Sequence, residues 1–487
     1  MRSRGRAVEW VITWLVVGVL LAGGFLLSVF HREALAVTGL TRSGAPTTVA
    51  PELFAPPPTP TAAETGADNP PPAGTGLVGP AELPAPGVLP ERAALEAELG
   101  ALDRSKLLPA DGGEPVAIGY EVIDVATGEV VAASNEKAPL IPASNTKTLT
   151  ALAVMNAFDG SETFATRVVQ PEPGHLVLVG GGDPLLRSIP SPETAYPQPA
   201  TTDELAELTV EALREAGVTS VSLGYDESHF TGPGWNETWP ANYRDQVTTI
   251  SALWTDEGRG PRGGARSQTP ALAAATTFAT QLTARGITVT GAPVAAPGSG
   301  GAEEVARVES LPVHVLVEQF MQRSNNSFTE VMGFQLAART GHPTTFAGSV
   351  AAIREQLTAL GIWDEGTVLH DASGLSRSNR FTPNMLAAAL AELASEPRLS
   401  VILDGLPTAG VTGTLADRFG DAIARPARGI ARAKTGSLSL VATLGGTTLT
   451  ADDRLLAFAF FVNGVPDGGA ARVWVDQATG TVTACGC

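Results

Sequence analysis

The sequence predicts an α/β (α+β) protein: a central antiparallel sheet flanked by helices and split by an inserted α/β domain. Three observations carry this prediction. Residues 430–434, 438–449 and 455–462 are apolar, β-branched runs separated by short turns, one of them at 451–453; short turns join antiparallel neighbours. After Pro142 there is no Pro or Gly until Gly160, and Leu149, Leu152 and Met155 recur at a three-residue step, the pattern of a buried helix. Between 165 and 304 strand-like and helix-like stretches alternate, as in α/β units.

From the N-terminus, Arg2, Arg4 and Arg6 precede an uncharged run from Trp10 to Phe30. About 20 apolar residues span a bilayer. The positive-inside rule puts residues 1–9 in the cytoplasm and everything after Phe30 outside. The length of the run favours an uncleaved anchor over 10–30, with a signal peptide cleaved near Ala34-Leu-Ala36 as the alternative. Residues 31–90 are rich in Pro, Ala, Gly and Thr and read as an extended linker. The folded part is then 91–164 together with 305–487, with 165–304 inserted as a domain of its own.

Within the folded part, 116–124 and 129–133 form a hairpin around Thr127-Gly128. In the insertion, Leu176-Val-Leu-Val179 is a strand running into Gly180-Gly-Gly-Asp-Pro184. No Gly-Lys-Ser/Thr follows, which argues against a phosphate loop. Residues 202–216 are an amphipathic helix with a Thr or Asp cap, ended by Gly217; 218–223 is a strand and 270–285 a second helix. The Trp residues of the 233–239 loop read as packing anchors. Residues 312–340 are helical with a break at 323–327, where Ser and Asn cap and interrupt helices. A polar loop over 368–383 leads into a helix ending at 393, and 406–415 is another loop.

Composition narrows the function. A net charge of −18 over 487 residues argues against nucleic acid or anionic lipid as a partner. The six His show no metal-ligand spacing and there is no G-x-S-x-G elbow, so neither a metal, nor a cofactor, nor a Ser-His-Asp triad is expected. Cys485 and Cys487, the two cysteines, are too few for a disulfide framework.

The chemistry concentrates around Ser144 and Lys147. Three residues apart on a helix is one face, so hydroxyl and amine can meet. Ser becomes a nucleophile when a base takes its proton, and a desolvated Lys can be that base. The positive end of the helix favours negative charge developing beside Ser144. The chain has four Lys (106, 137, 147 and 434), the other 28 basic residues being Arg. Arg stays protonated in proteins and cannot serve as a base, so each surviving Lys is a candidate for chemistry. Ser134-Asn-Glu-Lys137 has the same spacing, but Pro139 and Pro142 prevent a helix from continuing; it reads as a strand end and turn. Lys434-Thr435-Gly436 lies at the end of the first C-terminal strand, where Gly436 lets the backbone approach a ligand and Ser437 offers an N–H.

Ser-x-x-Lys at 144–147, Ser-x-Asn at 324–326 and Lys-Thr-Gly at 434–436, in that order, resemble the penicillin-recognising serine hydrolases. The nearer resemblance is to the low-molecular-weight class C penicillin-binding proteins, the D-alanyl-D-alanine carboxypeptidase/endopeptidase family. Gly180-Gly-Gly-Asp-Pro184, the 226–235 segment, Asp371-Ala-Ser-Gly-Leu-Ser-Arg377 and Gly410-Val-Thr-Gly-Thr-Leu415 extend the likeness over about 95–465. It implies a β-lactamase/transpeptidase-like domain and a set of roles. Ser144 would be acylated and Lys147 would take its proton. Ser324 would relay a proton to the leaving amine with Lys434 as electrostatic partner. Asn326 would hold the substrate's peptide amide, and Thr435 and Ser437 its terminal carboxylate. The N–H groups of Ser144 and Ser437 would form the oxyanion hole. It also implies peptidoglycan stem peptides as substrate, β-lactams as inhibitors, and a place on the outer side of a bacterial membrane.

Two departures stand out. The insertion, about 140 residues, suits one inserted domain rather than two. The second motif reads Ser-Asn-Asn where Ser-Asp-Asn is commoner. No glutamate is assignable as a deacylation base. The competing readings are a β-lactamase or esterase on the same fold, and a catalytically silent cell-wall-binding scaffold, against which the intact motifs argue.

Overall fold

The computed structural model describes residues 87–107, 116–260 and 263–486. The expected basic segment 1–9, the apolar run 10–30 and nearly all of the linker 31–90 lie outside them, as does Cys487. Among the described residues no helix is long and apolar enough to cross a membrane.

Helix α1 (Arg92–Ala101) precedes the hairpin β1 (Ala117–Asp124) and β2 (Val130–Ser134), turned at Gly128 as expected. A 3-10 turn, Ala143–Asn145, then enters helix α2 (Thr146–Ala157). The insertion follows: β3 (Ala165–Glu172), β4 (His175–Val179), α3 (Thr202–Glu215), β5 (Ser220–Asp226), α4 (Pro270–Ala284), β6 (Thr288–Ala295) and β7 (Glu303–Glu309). β7 runs across the expected boundary at 304. Next come α5 (Val313–Arg323), α6 (Asn326–Arg339), α7 (Phe346–Ala359), α8 (Pro383–Ser395) and the short α9 (Ser400–Asp404). Strands β8 (Arg432–Leu438), β9 (Val441–Leu449) and β10 (Leu455–Asn463) and helix α10 (Gly468–Ala484) complete the chain.

The first sheet has the order β2-β1-β10-β9-β8, and all its pairings are antiparallel. Its hydrophobic pattern explains why helices cover both faces. Along β10, Ala457, Ala459 and Phe461 enter one core with α2 and α8, while Leu456, Phe458 and Phe460 enter another with α1 and α10. Two-residue alternation sends successive side chains to opposite faces, so an unbroken apolar run belongs to a strand buried on both sides. Each fully buried Phe contributes about 1.5–3 kcal/mol. α2 lies inside the first core: every residue from Thr146 to Met155 is buried. A helix buried all round is apolar or small all round, which places its one lysine in an unusual setting.

The second sheet, order β6-β5-β4-β3-β7, is mixed. β4, β5 and β6 run parallel, linked by crossovers through α3 and α4, whose Leu205, Val210, Phe278 and Leu282 cover one face. Thr201 caps α3 by accepting from the Glu204 N–H at 3.0 Å. The 165–309 stretch thus forms a single sheet with one main core. Its long loop after β5 returns to α6 and α7, where Phe230, Trp239 and Trp254 form a separate cluster with Val331, Phe334 and Phe346.

Two expectations are corrected. Lys434-Thr435-Gly436 lies in the middle of β8, not at its end, because the turn to β9 falls at Ser439-Leu440 with Leu440 in the left-handed region (φ 63°). Ser144 lies in the 3-10 turn before α2, not in its first α-helical turn.

Candidate active site

Ser144 lies in the 3-10 turn and Lys147 three residues on, in the first turn of α2, a spacing that puts both side chains on one face. Lys147 Nζ donates to Ser144 Oγ at 3.2 Å. It also donates to Asn326 Oδ1 at 2.7 Å and to the Ser373 carbonyl at 2.7 Å. All three ammonium hydrogens therefore have acceptors, one of them the candidate nucleophile. The turn is pinned from behind: Asn145 Nδ2 donates to Thr443 Oγ1 (2.7 Å), which donates to the Pro142 carbonyl (2.8 Å). Ala143 sits in the left-handed region (φ 48°), and the space where a Cβ on Gly374 would lie is 1.8 Å from the Ala143 carbonyl oxygen. Gly374 is what lets the 371–377 loop close over the turn.

The second motif joins two helices. Ser324 ends α5 in the left-handed region (φ 51°), and the Asn325 side chain caps α6 by accepting from the Phe328 N–H at 3.1 Å. Asn326, first in α6, donates through Nδ2 to the Gln246 carbonyl at 3.2 Å. Lys434 on β8 donates to Ser324 Oγ at 2.7 Å and to the Thr435 carbonyl at 2.9 Å. Two Lys–Ser pairs, 144/147 and 324/434, thus stand side by side, linked through Asn326.

β8 is the edge strand next to the Ser144 turn. Ala433 donates outward to the Pro407 carbonyl at 3.0 Å. In a regular ladder N–H groups alternate between the two edges, so Thr435 and Ser437 direct theirs to the same edge as Ala433. Thr435 Oγ1 lies 3.1 Å from Thr414 Oγ1 of the 406–415 loop. Gly436 is a case of close approach within the chain: a Cβ there would lie 2.0 Å from Thr443 Oγ1 and 2.8 Å from the Pro142 carbonyl oxygen. It allows β8 to press against the turn that carries Ser144.

Ser144, Ser324, Asn326, Thr435 and Ser437 line one cleft of about 570 Å³. Lys147 and Lys434 are fully buried beneath it. The sequence reading missed the far wall, Tyr243, Asp245 and Gln246 from the insertion, and Arg418 and Arg472 near α10. A second cavity of about 410 Å³, between the 185–199 segment and Arg323, holds none of the eight motif residues. The look-alike pair separates as expected: Lys137 is 63% exposed and bonds Asn384 and Asp364, far along the chain from Ser134.

Burial dominates the electrostatics. It holds Lys147 down at about 8, against the opposing pull of the Glu330 and Asp371 carboxylates. Lys434 is held well below the ordinary lysine range, by burial first and by the Lys147 charge second. Burial, then Asp371, pushes the Glu330 carboxyl above the usual carboxylate range. Glu330 accepts from the N–H groups of Ala372 (3.1 Å) and Ser373 (2.8 Å), thereby fixing the carbonyl that Lys147 contacts. Asp371 accepts from Trp239 Nε1 (2.7 Å), Asn379 Nδ2 (2.7 Å) and the N–H groups of Gly374 and Ser376. The aromatic loop therefore packs and also positions the 371–377 loop. Nothing at 330 in the sequence signals this, because its partners are brought in only by folding.

The chain is 35% identical over 380 residues to a carboxypeptidase of Mycobacterium tuberculosis, covering 75% of this chain and 80% of that one. It is 33% identical over 377 residues to the carboxypeptidase DacB of Mycolicibacterium smegmatis, with the same coverages. Penicillin-binding protein 4 (dacB) of Haemophilus influenzae shares the fold, with a TM-score of 0.64 at 22% identity over 80% of this chain and 98% of that one. With the D-Ala-D-Ala carboxypeptidase 3 (S13) family model matching residues 110–262 and 262–483, the chain belongs to that family of serine-type enzymes, the low-molecular-weight class C penicillin-binding proteins.

Proposed function

We propose that this enzyme works outside the cytoplasmic membrane, held there by the 10–30 run. It removes the terminal D-Ala from peptidoglycan stem peptides through an acyl-enzyme on Ser144, and penicillins acylate the same hydroxyl. The observation that carries the reading is the buried Lys147 amine 3.2 Å from Ser144 Oγ, with a second Lys–Ser pair beside it.

In the proposed sequence, neutral Lys147 takes the Ser144 proton as Oγ attacks the carbonyl of the penultimate D-Ala. The N–H groups of Ser144 and Ser437 receive the developing oxyanion. Ser324 relays to the leaving nitrogen the proton that Lys147 took from Ser144, with Lys434 beside it as electrostatic partner. The C–N bond breaks, leaving an ester on Ser144 that water hydrolyses. Asn326 holds the substrate amide, Thr435 and Ser437 hold its carboxylate, and Gly436 keeps β8 close. In this reading 91–164 and 305–487 are the catalytic domain and 165–304 the inserted one. Glu330 commits both oxygens to backbone N–H groups, which favours a slowly hydrolysed penicillin adduct over β-lactamase turnover.

Mass spectrometry of the soluble part after incubation with a penicillin, with peptide mapping, tests this. One adduct on the Ser144 peptide and release of D-Ala from a D-Ala-D-Ala peptide are expected. An unmodified protein, or an adduct elsewhere, refutes the reading.

A further inference from the structure

Ser324 is held in left-handed backbone (φ 51°), a conformation that is strained for a non-glycine residue and persists only where the surroundings impose it. Its neighbours show what imposes it. Glu257, from the inserted segment, accepts from Arg323 through Oε1 and from Asn325 Nδ2 at 2.5 Å through Oε2. One carboxylate therefore grips the residues on both sides of Ser324. Glu257 is itself firmly mounted. It lies in a run of three left-handed residues, Asp256 (φ 53°), Glu257 (φ 58°) and Gly258 (φ 72°). Asp256 N–H donates to the Leu186 carbonyl at 2.9 Å, and Thr248 Oγ1 donates to the Glu257 carbonyl at 2.7 Å. A Cβ at Gly258 would lie 2.2 Å from Thr248 Cγ2.

We infer that Glu257 is a positioning residue for the second motif, and that it dictates asparagine at 325. The acidic residue that commonly occupies the middle of this motif would put a carboxylate against Glu257 Oε2, whereas the Asn325 amide donates to it. The inserted segment thus takes part in the chemistry by setting where Ser324 and Asn326 stand relative to Lys434 and Lys147. The inference rests on the proposed function.

The helix cap makes the test sharp. Asp is as good an N-cap as Asn and is favoured by the helix dipole, so for α6 alone Asn325→Asp is neutral or stabilising. The Glu257 contact demands the opposite outcome for catalysis. The experiment measures acylation of the full chain by a fluorescent penicillin over a concentration series, separating the limiting rate from the half-saturating concentration, with a thermal melt for each variant. Wild type labelled on Ser144 is the precondition, and its failure sinks the proposed function itself. Given labelling, Asn325→Asp lowers the limiting rate about tenfold or more, with half-saturation changed less than about threefold. Glu257→Gln, which can donate to Asp, restores the rate of Asn325→Asp to within about threefold. Glu257→Ala alone is slowed about tenfold, while Glu257→Gln alone keeps most of the rate. Normal labelling of Asn325→Asp, a double variant as slow as the single, or equal losses for Glu257→Ala and Glu257→Gln would overturn the inference and leave the acyl-enzyme reading standing.

Discussion

Proton inventory at Lys147 gives a measurable consequence. At a pKa of about 8 the amine is neutral in about one molecule in eleven at pH 7; at the ordinary 10.5 it would be neutral in about one in three thousand. Burial, net of the opposing pull of Glu330 and Asp371, thus supplies about 300-fold more of the base form. The sign follows directly: the working form is neutral, so activity is lost as pH falls below about 8 and saturates above it. Acylation by a neutral penicillin ester, measured as the second-order constant, should rise about fiftyfold from pH 6 to 8 and less than twofold from 8 to 9. A base at the ordinary lysine value would instead gain close to tenfold over that last unit. Lys147→Arg should lower the constant by about 10²–10⁴-fold, the range for a positioned general base. A rate that is flat from pH 6 to 9, or that still climbs tenfold between 8 and 9, refutes the assignment of Lys147 as a desolvated base. So does normal labelling of Lys147→Arg.

Three further outcomes are expected. Ser144→Ala abolishes the penicillin adduct in intact-mass measurements, whereas Lys137→Arg, on the exposed look-alike motif, labels within about twofold of wild type. Gly436→Ala forces a methyl onto Thr443 Oγ1 and the Pro142 carbonyl; overpacking of this kind costs about 1–3 kcal/mol, read in denaturant titration, and slows acylation because the Ser144 turn must move. Glu330→Gln turns one amide donor toward a backbone N–H of Ala372 or Ser373; the unsatisfied pair costs about 1–3 kcal/mol, seen as a lower melting temperature and slower acylation.

How far the sequence could be read depended on how local each feature is. Ser144 and Lys147 were legible because three-residue spacing and the absence of Pro after Pro142 act within one turn. The β10 run was legible because it alternates strictly between two cores. By contrast α10 escaped notice: it starts at Gly468-Gly469 and ends among Thr479, Thr481 and Thr483, weak helix formers that packing against β9 overrides. α7, with a glycine in its first turn, was hidden in the same way. The boundary error at β8 has a similar origin, since Gly436 resembles a strand end until Thr443 and Pro142 are seen to require it. Glu257 and Glu330 had no signal at all. Their partners, at 323–325 and 372–373, are distant in the chain and meet them only in the fold.

The pairing of β1 with β10 sets a timetable for biosynthesis. Ala117 lies opposite Asn463, so a strand made early waits through the production of the whole insertion before its neighbour exists. Contacts this remote in sequence form late and slowly. The nascent N-terminal hairpin therefore spends that interval with an open apolar edge. A polypeptide stopped before Leu455 leaves that edge permanently uncovered, and should be recovered as aggregate or degraded fragments rather than as a weakened hydrolase.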